Sequence, residues 1–293
     1  MIRAHRRQGG VFILCALTVV AACLVLPRMG HSPELIVVAA LILLLGVPHG
    51  ALDPLFARRL PSAKSALGWI AIGLGYALIA SAVVAVWLVA PSLFLAAFLL
   101  ISAAHFSGDP GQETGAVARV LYGGAIIVIP TLLHPAEVDT LFAALAGHEA
   151  ASSIMPTLQV LAGPWLFLLI LCAAIEARRD LMTGAEIATL GLLALLAPPL
   201  VGFATFFCAM HSPRHILRTA DYASDVPRRV LWATGLVPMV LVIGVIAASW
   251  MWIGDEPIDD WIMRIMFVGL AALTVPHMVL VERVRLAGWR TDV

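Results

Sequence analysis

LGLLALLAPPLVGFATFFCAMHSPRH, residues 190–215, decides the class of this protein. A helix needs about 20 apolar residues to cross the hydrocarbon core of a bilayer, and this stretch supplies them around a Pro198-Pro199 break. It ends on two histidines one helical turn apart, His211 and His215, with Pro213 between them. The rest of the chain has the same character. Of its 293 residues 61% are hydrophobic and 12% charged, against roughly 25% charged in a soluble domain, and the mean hydropathy is +0.99. The expected fold is all-α: residues 1–293 form one integral membrane domain, a polytopic transmembrane bundle of about eight to ten helices.

Apolar runs punctuated by Pro, Gly and charge predict ten segments, near 11–27, 34–53, 66–89, 91–109, 116–133, 156–177, 184–197, 199–218, 229–253 and 261–282. Ala90-Pro91, Asp53-Pro54 and Pro198-Pro199 each disfavour a continuing helix, because the residue before Pro is pushed out of the α region and Pro has no N–H to donate. The two segments flanking Pro198-Pro199 could equally be one broken helix. The stretch 134–150, with His134 and His148, reads as a short interfacial helix. RAHRRQGG followed by an apolar run to Cys23 looks like a signal sequence with a lipobox, but the run continues through LVLP, which suits an uncleaved first helix better. The four cysteines all sit in apolar runs without CxxC spacing and read as small core residues.

Basic residues stay preferentially on the cytoplasmic side. With both termini cytoplasmic, 16 of the 18 Lys and Arg fall inside, and only Arg28 and Arg264 fall outside. Location in the cell (inner) membrane, multi-pass, is the expectation. Basic and acidic residues balance at 18 each, so a nucleic-acid partner is not expected.

With this topology the histidines converge. His49, His105, His211, His215 and His277 all lie near the inner ends of outward-to-inward segments. A polar side chain in the membrane is expensive and usually faces the bundle interior or a cavity. Each imidazole alone could merely satisfy a carbonyl freed by a nearby Pro or Gly. Five at one depth are better explained by a metal site in the bundle near the cytoplasmic side, since neutral imidazole is the commonest protein ligand. Spacing leaves Zn, Cu, Fe and Ni open. Asp53 and Asp109 are each four residues after a histidine, His49 and His105 respectively. On a continuous helix each would share a face with its own histidine and could accept the second imidazole N–H, unless Asp-Pro simply ends the helix. Glu282 is nearer the interface and is expected to pair with Arg283, Arg285 or another cytoplasmic arginine.

GVPHGALD (46–53), AAHFSGD (103–109), HSPRH (211–215) and VPHMVLVE (275–282), in that order, resemble the membrane β-carotene 15,15'-dioxygenases of the Brp/Blh type. The resemblance implies cleavage of β-carotene or a related carotenoid by O2 at the central double bond, giving two retinals at a non-haem iron. It implies Fe(2+) as cofactor, with His49, His105, His211 and His215 as catalytic metal ligands. His277, Asp53 and Asp109 would be a further ligand or partners behind the ligands. The product could pass to a retinal-binding rhodopsin. A hydrocarbon substrate dissolved in the lipid bilayer would enter laterally past apolar walls. Phe106, Phe206 and Phe207 are the first candidates for substrate contact, with Trp69, Tyr76, Phe98, Tyr122 and Trp165 as further wall or packing residues.

Other functions make other demands. A di-iron desaturase resembles chains with more histidine boxes than the single HxxxH here. A bis-histidine haem protein would use only two of the five. A proton- or ion-coupled transporter could employ intramembrane His and Asp as a relay, but no convincing inverted repeat accompanies them.

Overall fold

The computed structural model describes residues 2–28, 30–111, 113–251 and 257–284. Thirteen α-helices follow in chain order: α1 (Ile2–Val25), α2 (His31–Leu41), α3 (Asp53–Ala57), α4 (Ala66–Val89), α5 (Pro91–Phe106), α6 (Ala116–Val128) and α7 (Pro135–Ala146), then α8 (His148–Ala177), α9 (Leu181–Leu196), α10 (Pro199–Phe206), α11 (Ser212–Tyr222), α12 (Arg228–Trp250) and α13 (Ile258–Val284). Among the described residues there is no strand. Every predicted segment is helical, and α1 runs unbroken through Cys23. The expected pairing of Glu282 falls on side chains outside those described.

Length modifies the count of crossings. Among the described residues six helical stretches are long and apolar enough to span a membrane, or seven if α6 with its short extension and α7, bent 113° apart, form one broken span. Helices α5 and α9 have 16 residues each, roughly 24 Å at 1.5 Å per residue, short of the ~30 Å hydrocarbon core. They pack inside the bundle instead, α5 on α6 and α9 on α1 and α8. Gly123 allows the first of these contacts, since a Cβ there would collide with the Ala103 carbonyl and the Ser107 backbone of the facing segment. At the periphery, α4 and α12 bury almost none of their residues and present Leu, Val, Ile and Trp outward, as lipid-facing helices do.

Ion pairs sort to two ends. Arg6 with Asp180 (2.8 Å), His5 with Asp221 (3.3 Å) and Arg58 with Asp225 (2.7 Å) lie at one end, and Arg28 with Glu137 (2.7 Å) at the other. The Thr183 hydroxyl and N–H hold the Asp180 carboxyl below its ordinary range at the start of α9. Exposed pairs of this kind contribute about 0–1 kcal/mol, so they mark the ends more than they hold the fold.

Two breaks shape the interior. A π-helical turn, Ile42–Gly46, leads into a 3₁₀ turn, Val47–Leu52, between α2 and α3; a second π-helical turn, Phe207–His211, joins α10 to α11. Pro48 and Pro213 cause them, since neither donates to the carbonyl four residues before it. Dry backbone carbonyls need partners, and side chains from neighbouring elements supply them. Ser212 Oγ donates to the Leu45 carbonyl (2.6 Å), and Gln8 Nε2 donates to the carbonyls of Ala209 (2.9 Å) and Met210 (3.3 Å).

Behind α11 a second polar group is buried. Arg214 makes a bidentate pair with Glu186 of α9 (2.7 and 2.9 Å) and donates through Nε to Gln8 Oε1 (2.8 Å). Both charged side chains are under 10% exposed, so removing either leaves an uncompensated charge in a dry interior. Glu186→Ala is therefore expected to cost about 3–5 kcal/mol of stability, while the double change Arg214→Met with Glu186→Leu restores most of it. Thermal unfolding of the detergent-solubilised protein measures both.

Candidate metal centre

The breaks aim imidazoles inward. His49 sits in the 3₁₀ turn, His105 in the last turn of α5, His211 at the end of the second π-helical turn, His215 in the first turns of α11, and His277 next to Pro276 within α13. Their ring centroids approach to 4.6 Å (His105–His211), 4.9 Å (His215–His277), 5.0 Å (His49–His211), 5.4 Å (His49–His215 and His105–His277) and 5.5 Å (His49–His277). The structure thus brings all five into one cluster. Within it, ligand atoms of His49, His105 and His277 lie within 4.8 Å of one another. That grouping differs from the set implied by the resemblance in taking His277, while His211 and His215 flank it.

Hydrogen bonds fix which nitrogen points inward. His49 Nδ1 donates to the Gly46 carbonyl (2.6 Å). His211 Nδ1 donates to both oxygens of Asp109 (3.0 Å each), and His277 Nδ1 to Asp53 Oδ1 (2.5 Å). With Nδ1 committed as donor, Nε2 carries the lone pair. The Nε2 atoms of His105, His211, His215 and His277 are buried and have no hydrogen-bond partner. Four orphaned ring nitrogens in one buried cluster would be costly, on the order of 1–3 kcal/mol each, unless something binds them. A metal ion meets that need, and carboxylate-backed imidazoles are the usual way of orienting ligands toward one. The nitrogen-rich donor set, with no cysteine in it, suits a first-row divalent ion such as iron.

The carboxylates correct the sequence reading. Asp53 accepts from His277, not from His49, and Asp109 accepts from His211, not from His105. Each aspartate reaches across to a histidine on another element. The cause is local: four residues along a 3₁₀ turn advance about 120° around the axis rather than the ~40° of an α-helix, and α5 ends at Phe106, before Asp109.

Aromatic rings close the walls. Phe106 lies edge-on to His211 (4.9 Å) and to Phe206 (5.0 Å), and Phe207 stacks on His211 (5.4 Å) and meets His49 edge-on (5.4 Å). Gly46 makes room for Phe207, whose ring occupies the space that a Cβ would need. A small apolar cavity of about 80 Å³, lined in part by Ser102, Phe106, Phe203 and Phe267, adjoins this wall.

Several residues around the cluster escape a reading by motif. Arg218 donates to the carbonyls of Gly108 (2.6 Å) and Asp109 (2.8 Å), pinning the turn that carries Asp109. Tyr76, read only as a wall or packing residue, donates its phenol hydrogen to Asp53 Oδ2 (3.0 Å) or to the Leu273 carbonyl (3.2 Å). Glu186 had one available signal, a carboxylate in the apolar run of α9. Gln8 had none.

The Beta-carotene 15,15'-dioxygenase family model matches residues 40–284. The chain is similar to a Beta-carotene 15,15'-dioxygenase of an uncultured marine bacterium, 66A03, with 32% identity over 83% of this chain and 91% of that protein. It is also similar to a Probable beta-carotene 15,15'-dioxygenase Blh of Halobacterium salinarum, with 23% identity over 92% of this chain and 88% of that one. No solved structure matches.

Replacing the anionic acceptor behind His211 tests the cluster directly. Asp109→Asn is expected to weaken divalent-metal binding roughly 10–100-fold, read by anaerobic titration with Fe(II) or Co(II).

Proposed function

The chain belongs to the β-carotene 15,15'-dioxygenase family, and on that premise we propose that it splits the central double bond of β-carotene, or of a related carotenoid, with O2 to give two retinals. The observation that carries this reading is the cluster of five histidines behind an aromatic wall, with four buried Nε2 atoms left without hydrogen-bond partners. His49, His105, His211 and His215 would hold Fe(2+), with His277 as a further ligand. Iron(II) supplies, when bound, the electron exchange that lets ground-state dioxygen react with a closed-shell alkene.

The balance of the reaction limits what the protein must do. The carbon–carbon double bond and the O–O bond break, two C=O bonds form, and each retinal keeps one oxygen atom. No proton is taken up and no external reductant is consumed. The buried aspartates are therefore needed as orienting acceptors for His211 and His277 rather than as acids or bases. Phe106, Phe206 and Phe207 would hold the polyene against the cluster by ring contact and exclude water from it. Lipid-facing helices suit a substrate that arrives from the bilayer rather than from water. The segregation of basic residues supports an inner-membrane protein with both termini cytoplasmic.

Expression in bacteria that accumulate β-carotene, with retinal and residual carotene quantified by chromatography, tests the activity. Retinal is expected with the unmutated protein only. His211→Ala or His215→Ala should abolish it and lower iron occupancy while the protein stays inserted. Full cleavage in either variant would overturn the assignment of the site.

A further inference from the structure

We infer that Tyr76 is a positioning residue for the metal centre, acting on His277 through Asp53. The inference rests on the metal reading above and adds a residue from a helix that carries no histidine of the cluster. Helix α4 lies at the periphery, with no fully buried residue among its 24, and its sequence is almost wholly apolar. Tyr76 is an exception, turning its hydroxyl inward to the Asp53 carboxylate (3.0 Å) and the Leu273 carbonyl of α13 (3.2 Å).

The geometry makes Asp53 a hinge between two donors. Its Oδ1 accepts from His277 Nδ1, and its Oδ2, nearer to the Tyr76 hydroxyl than the Leu273 carbonyl is and a stronger acceptor, takes the one phenol hydrogen, so the two hydrogen bonds together fix the plane of the carboxylate. That plane sets the direction of the His277 ring, whose Nε2 is buried without a hydrogen-bond partner and belongs to the group with His49 and His105. Asp109 is held differently. Both of its oxygens face His211 Nδ1, and the turn that carries it is pinned through backbone carbonyls by Arg218. Loss of the Tyr76 hydroxyl should therefore disturb one ligand of the set and leave His211 alone.

Tyr76→Phe keeps the ring and removes only the hydroxyl. Trp87→Phe, on the same helix, removes a hydrogen bond to the Leu145 carbonyl (2.8 Å) and serves as the control for mere packing of α4. Full-length proteins purified in detergent would be titrated anaerobically with Co(II), following both affinity and the ligand-field absorption. Tyr76→Phe is expected to weaken binding roughly tenfold, at the lower end of the range for groups behind a ligand, and to shift the absorption. Trp87→Phe should do neither. In a His277→Ala background Tyr76→Phe should have no further effect, because the residue through which it acts is gone.

Unchanged affinity and spectrum in Tyr76→Phe would overturn the inference, as would an effect of full size persisting without His277. Equal effects from Tyr76→Phe and Trp87→Phe would also overturn it, reducing Tyr76 to packing. Failure of the unmutated protein to bind any metal would instead overturn the metal centre itself, and this role with it.

Discussion

A backbone carbonyl or ring nitrogen in a dry bundle must find a partner, and the rest of this structure follows from that constraint. Pro48 and Pro213 each deny a carbonyl its usual donor, and the helices answer with π-helical and 3₁₀ turns at the same depth. Such turns would be intolerable against lipid. Here their backbone packs against α1, α11 and α13 while Leu44 and Leu45 face outward, and their open carbonyls are met by Gln8, Ser212 and His49. Local unwinding also changes where side chains point. The same breaks that cost hydrogen bonds allow His49, His211 and His215 to face one another from three elements.

The fold and much of the site are legible because hydropathy and proline are strong local signals. All ten apolar runs are helical, and the five histidines placed at one depth by topology do meet. What the sequence hides is of two kinds. Crossing counts depend on helix length within the bundle, so α5 and α9 read as spans although they are shorter than the membrane core. Side-chain partnerships depend on rotation about axes that have been locally rewound. A spacing of four residues predicts an aspartate beneath its own histidine only where the α-helix continues, and at Asp53 and Asp109 it does not. Tyr76, Gln8 and Glu186 act across more than 20 residues of chain, and no local pattern marks the partner.

The crossed carboxylates have a mechanical consequence. If each aspartate served the histidine on its own segment, the cluster would consist of independent units that could drift apart as helices slid. Instead Asp53 ties α3 to α13, and Asp109 ties the turn after α5 to the π-helical turn before α11. Two hydrogen-bonded pairs thus cross-link elements far apart in sequence. Ordering them has an entropic cost, and burial of charged acceptors adds to it. That cost is reasonable only where ligand direction must be set in advance.

Such pre-orientation matters more for a hydrocarbon substrate than for a polar one. β-Carotene, the substrate proposed, offers no charged group or hydrogen-bond donor with which an enzyme could select a position along the chain, so shape and ring contact would have to locate the bond to be cut. Phe106 and Phe207 touch both the aromatic wall and the histidines, which makes the wall and the cluster one packed unit. A shift of a ligand ring would move the wall with it. Within a close-packed interior, rotation of Phe207 is resisted by Gly46 on one side and by the Phe203 ring, 5.5 Å away, on the other. Under the proposed activity, the rings that would hold the polyene and the histidines that would hold the metal are therefore positioned by the same contacts.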